Sequence, residues 1–171
     1  MMSGKSGALA LEMVFVPVII MMLKEWVYPF FIWKWFPVAD TASTVLEWVL
    51  IVVTVIGCFA YIGFGSSARH IYKLSLPSSI GIYLVIHLPL VLPVILMEAG
   101  WSVPSLWKDL SLLWWGLIGD GIRLFTPDRW VFHPLTLCFL TALLFLCGRN
   151  VYVEEEESIK SLQQSKVVSN R

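Results

Sequence analysis

The sequence predicts an all-α integral membrane protein: a four-helix transmembrane bundle with a short re-entrant or interfacial helix between spans 3 and 4. Three observations predict it. Of 171 residues, 58% are apolar and only 14% charged, with a mean hydropathy of +0.78, more apolar surface than a soluble domain of this size can hide. Four apolar runs approach the ~20 residues a helix needs to cross about 30 Å of hydrocarbon. All nine tryptophans fall in two segments on one side of those runs or at the span ends bordering them, while four of the five tyrosines (Tyr61, Tyr72, Tyr83 and Tyr152) fall toward the other. An odd number of crossings would scatter the tryptophans over both interfaces.

Taken in order, residues 1–149 form the bundle. Span 1 covers about 8–23, after Lys5 and with Pro17 inside it; Glu12 lies one turn in, near enough to snorkel outward. No small-x-small cleavage site follows, so an uncleaved span is expected, and Lys24-Glu25-Trp26 closes the apolar run. Residues 24–44 are expected to hug the headgroup layer through Tyr28, Phe30, Phe31, Trp33 and Trp35. Span 2, about 46–64, carries no charge after Glu47, and span 3 covers about 80–97. Residues of about 105–125 are apolar but short and contain Gly116, Gly119, Asp120, Gly121 and Arg123, which predicts an interfacial or re-entrant helix folded back onto the outer leaflet. Span 4, about 131–148, ends at Arg149-Asn150 and carries small residues at Pro134, Cys138 and Ala142 on which a helix can pack. Residues 150–171 read as an acidic, disordered cytoplasmic tail around Glu154–Glu157.

With four spans and both termini inside, seven Lys and Arg residues lie inside (Lys5, Arg69, Lys73, Arg149, Lys160, Lys166, Arg171) and five outside (Lys24, Lys34, Lys108, Arg123, Arg129). The excess orients both termini toward the cytoplasm of a cell membrane. Twelve basic residues balance twelve acidic ones, which argues against nucleic acid as a partner.

Two groups of residues are candidate functional sites. His87, Pro89 and Pro93 in span 3, with Glu98 at its end, form a candidate polar cavity. Each proline lacks an N–H, so the carbonyls of Val85 and Pro89 lose their helical donors, and in lipid those must be satisfied by protein or water. Trp101, Trp107, Trp114 and Trp115 with Asp120 and Arg123 form a candidate outer binding surface; Asp120 and Arg123 are spaced to pair at i,i+3. His87 and His133 stand at depths too different to share a haem iron, the three cysteines form no CxxC, and no histidine spacing suits a metal. No catalytic set, cofactor or metal site is therefore expected. The function implied is that of a small multi-pass protein acting through intramembrane protein or lipid contacts, as an assembly, immunity or signalling accessory rather than an enzyme. Its partners are the bilayer and a membrane protein or a second copy of itself. The alternatives are an oligomeric transporter or channel subunit built on the kinked His87 helix, and a membrane-embedded lipid-modifying enzyme.

Overall fold

The computed structural model describes residues 4–151; the acidic block Glu154–Glu157 lies outside them. The described chain is helical, in the order α1 (Gly4–Met22), a π-helical turn (Leu23–Val27), α2 (Tyr28–Trp35), α3 (Ala39–His70), α4 (Leu76–Glu98), α5 (Ser105–Ile122), two short 3-10 turns and α6 (Pro134–Asn150). Three helices are long and apolar enough to cross a membrane: Gly4–Trp35, Ala39–His70 and Leu76–Glu98; α6 is a shorter apolar helix. Their outward faces carry large apolar side chains such as Phe15, Phe59, Val85 and Phe139, as a lipid-facing surface requires.

The apolar run closes at Lys24, but the helix does not. Gly4–Trp35 is continuous, because Lys24 finds partners inside the bundle and need not reach water. Residues 24–44 are thus mostly helix, with α2 packed on the start of α3 across the three-residue link Phe36-Pro37-Val38.

Local signals set the other helix ends. The Ser75 hydroxyl accepts from Ser78 N at the start of α4, where Pro77 occupies the first turn. Gly100, at φ +81°, closes α4 in a Schellman motif: Trp101 N donates to Leu96 O and Gly100 N to Met97 O. His133 caps α6, its Nδ1 accepting from Leu135 N at 3.2 Å. Nδ1 is therefore unprotonated, and Nε2–H donates to Glu98 at 2.7 Å, tying α4 to α6.

At the opposite end of the bundle the basic residues knit the chain together. Arg149 donates to Ser79 Oγ and the Leu74 carbonyl, both at 2.7 Å. Arg69 donates to the Arg149 carbonyl. Tyr72 Oη donates to Glu12 at 3.0 Å, and that carboxylate pushes the phenol pKa upward. Glu12 is thus held by a phenol at the end of the bundle.

The tightest seam joins α3 to α6, which run parallel: Gly65 lies against Phe145 and Arg149, and Gly148 against Ile62. A Cβ at Gly65 would overlap the Phe145 carbonyl, and one at Gly148 the Ile62 carbonyl. Leu137, Thr141, Phe145 and Gly148 make the buried face of α6, one residue round from the small-residue stripe read in the sequence. The deciding small residue is Gly148 because the backbones approach closest at that end.

Gly148→Val is expected to cost about 3 kcal/mol, since the overlap is with backbone that must move. Gly63→Ala, whose Cβ meets nothing within 4 Å, is expected to stay within about 0.5 kcal/mol of wild type. Unfolding midpoints of the purified variants in a graded SDS series check the difference.

Candidate functional site

Helix α5 is inserted among α1, α3, α4 and α6 instead of lying over them as a lid. Its apolar stripe, Trp114, Trp115, Leu117 and Ile118, is buried in the bundle core. Two indoles and a serine of α5 find acceptors on α4. Pro93 leaves the Pro89 carbonyl without its helical donor, and Trp107 Nε1 donates to that carbonyl at 3.0 Å. One residue on, the Leu90 carbonyl accepts from Ser111 Oγ at 2.5 Å and from Trp115 Nε1 at 3.1 Å. On the far side of α5, Thr54 Oγ1 donates to the carbonyls of Leu117 and Ile118, both at 3.3 Å. Gly121 allows this approach, since a Cβ there would overlap the Thr54 side chain.

The two sequence-predicted groups separate accordingly. His87 is fully buried and stacked on Tyr83 at 4.1 Å. Its Nδ1–H donates to the Tyr83 carbonyl at 2.9 Å. Nε2 is then the acceptor, and Tyr61 Oη donates to it at 2.9 Å. Both ring nitrogens are thus used by the protein. The Tyr83 hydroxyl meets Thr141 Oγ1 at 2.6 Å, extending the polar network to α6. Trp114 lies edge-on to His87, its Nε1 turned toward Tyr61 without a well-formed hydrogen bond. Pro93 is buried while Pro89 is exposed. Glu98 is not brought to His87; it lies at the α4 end on His133.

Of the predicted outer surface, Trp101 is exposed and Trp107 half-buried, while Trp114 and Trp115 are core residues. Only Trp115, Asp120 and Arg123 line a common opening. It is a cleft of about 530 Å³ between the end of α1, one face of α5 and the start of α6, within the usual size of a small-molecule site. Its ionic floor, around the buried Lys24, holds Glu25, Asp120 and Arg123, and Asp109 also lines the cleft; its apolar lining includes Leu112, Leu113, Val131, Phe132 and Leu137.

Lys24 is the residue that sequence reasoning missed. Its side chain is only 4% exposed. The ammonium donates to Asp120 Oδ2 at 2.5 Å and to the Gly116 carbonyl at 3.2 Å, and meets Glu25 Oε1 at 2.9 Å. Two of its N–H groups are thus used in hydrogen bonds, and the Glu25 carboxylate adds an ion pair. Gly116 keeps the approach open, since a Cβ there would stand 3.3 Å from Nζ. The i,i+3 pair of Asp120 with Arg123 also forms, but more loosely, at 3.8 Å. The available sequence signal was that Lys24-Glu25 interrupts an otherwise apolar helix, just as Asp120 does. Among the described residues no group of three or more His, Cys, Asp or Glu side chains is gathered to hold a metal.

Helical, with three helices long and apolar enough to span, the chain has the build of a multi-pass membrane protein. Comparison with protein-family models, curated proteins and solved structures finds no match.

Asp120→Ala is expected to destabilise the fold by about 1–3 kcal/mol, because it strands part of a buried ammonium. Lys24→Met combined with Asp120→Leu is expected to cost less than Asp120→Ala alone. A double-mutant cycle on unfolding free energy reads the coupling, and additive single effects would show the pair to be uncoupled.

Proposed function

We propose that this is a non-catalytic, multi-pass protein of the cell membrane that works through intramembrane contacts, and that its principal contact is an amphipathic, lipid-like ligand seated in the α1–α5–α6 cleft. One observation carries the reading: charged and apolar side chains line the same opening. A polar head satisfies the first and a hydrocarbon chain the second. Lys24 is twelve residues beyond Glu12, or about 18 Å along the helix. With Glu12 near the inner boundary, the ionic floor lies inside the outer half of a ~30 Å hydrocarbon layer. Ionisable groups at such a depth mark functional sites, and π-helical turns like the one carrying Lys24 recur at such sites.

The topology proposed with it has four crossings, α6 being the fourth, α5 re-entering from the outer side, and both termini cytoplasmic. It is supported by the position of Arg69 and Arg149 at the same end of the bundle as the start of α1 and by the basic count. Reporter fusions at 72 and 165 are expected to read cytoplasmic and those at 40 and 102 external; an external signal at 165 overturns it.

For the ligand, a phospholipid with a photoactivatable acyl chain is expected to label α5 and α6 around Leu112 and Val131, mapped by peptide mass spectrometry. Leu112 and Val131 are both exposed and line the cleft, so Leu112→Trp and Val131→Trp fill it without disturbing the core. Each is expected to cut labelling about tenfold, the equivalent of one large apolar contact. Leu143→Trp, on an exposed part of α6 away from the cleft, is expected to leave it unchanged.

A further inference from the structure

Resting on the cleft reading, the geometry points to a more specific ligand: we infer that the cleft selects a zwitterionic phospholipid whose headgroup ends in a primary ammonium, with its phosphate on Arg123 and its ammonium between Glu25 and Asp120. Three observations carry this. First, the ionic residues lining the cleft, Lys24, Glu25, Asp109, Asp120 and Arg123, carry one more negative than positive charge. A ligand of net negative charge adds to that excess beside apolar walls, which is costly, whereas a zwitterion leaves it unchanged.

Second, these residues are unequally occupied. Lys24 is buried, hydrogen-bonded to Asp120 and Gly116 and ion-paired with Glu25, so it organises the floor instead of facing a ligand. Arg123 is freer: its closest carboxylate oxygen is 3.8 Å away and its side chain is 41% exposed. A guanidinium with free, forked N–H groups suits phosphate oxygens. Glu25 and Asp120 each hold Lys24 through one oxygen, leaving as acceptors Glu25 Oε2 and Asp120 Oδ1, the latter only loosely paired with Arg123 at 3.8 Å. An ammonium with N–H donors can use them; a quaternary ammonium cannot.

Third, the cleft continues into a place for a chain. A neighbouring groove of about 280 Å³ is lined by Val18, Met21, Met22, Trp26 and Leu110, and shares Glu25 and Leu113 with the cleft. A headgroup at the ionic floor thus has an apolar path past the Glu25–Leu113 rim. Flexible methionines suit a chain of variable shape.

The test uses the full chain in detergent with equimolar dioleoyl phosphatidylethanolamine, phosphatidylcholine and phosphatidylglycerol, reading retained lipid by native mass spectrometry. Wild type is expected to retain phosphatidylethanolamine about tenfold over either competitor, the worth of one charge-assisted hydrogen bond. Arg123→Gln is expected to abolish retention of all three. Glu25→Gln is expected to keep binding but bring phosphatidylethanolamine and phosphatidylcholine within about twofold of each other. Glu25 is an exposed position, and glutamine still offers Lys24 an oxygen beside its Asp120 and Gly116 bonds, so this variant probes the charge at the site. If phosphatidylglycerol is retained as well as phosphatidylethanolamine, or Glu25→Gln leaves the preference unchanged, the headgroup inference is overturned while the cleft reading stands. If wild type retains none of the three, or neither Leu112→Trp nor Val131→Trp lowers retention, the cleft reading itself fails.

Discussion

A proline at position 93 leaves the carbonyl of Pro89 without its helical N–H, and on the lipid-facing side of an apolar helix no water is at hand to replace it. The donor that answers is the Trp107 indole, joined one residue later by Ser111 and Trp115 on the Leu90 carbonyl. Three side chains at four-residue steps along one face of α5 thus read two adjacent carbonyls of α4. This fixes the position and rotation of α5, and through it almost everything else. Trp114 and Trp115 are carried to His87, the Leu117–Ile118 turn to Thr54, and the opposite face of the helix, with Gly116 and Asp120, to Lys24.

The ionic cluster follows from that placement. A lysine in the middle of an apolar helix is costly unless paired and hydrogen-bonded. Lys24 is both, yet its partners come from two sources, the adjacent Glu25 and an α5 residue 96 positions away. A hydrophobic residue at position 24 would pack α1 against α5 without an ionic floor. What the charges add is a polar surface at the bottom of an apolar cleft, the combination an amphipathic ligand needs. The buried polar network around His87 has the opposite character. Tyr61, Tyr83 and Thr141 use its hydrogen-bonding capacity internally, so it tightens the core at the junction of α3, α4 and α6 and offers no bond outward.

The α3–α6 seam supports the cleft from the other side. Because Gly65 and Gly148 let the backbones meet at one end, α6 is held against α3. Its beginning is anchored separately, by the His133–Glu98 contact. Between those two anchors, Leu137 packs on Gly119 and closes the cleft's third wall.

The sequence by itself determined the class of fold and most of its helices. Apolar content, run lengths and helix-stop residues follow from the thermodynamics of the individual segment, and each is legible locally. The freed carbonyls of α4 were legible too, because a missing N–H is a property of proline alone. What answered that of Pro89 was not: the sequence marks Trp107 as amphipathic, and only packing decides whether an indole turns to the headgroups or to a carbonyl of α4. The same holds for the charges. Local spacing finds Asp120 with Arg123, but Lys24 with Asp120 is a contact between helices, and no periodicity encodes it. Lys24 looked like the end of a span because, in isolation, a lysine ends one. The tertiary structure carried the helix through it by supplying a carboxylate and a carbonyl where water would otherwise have been required.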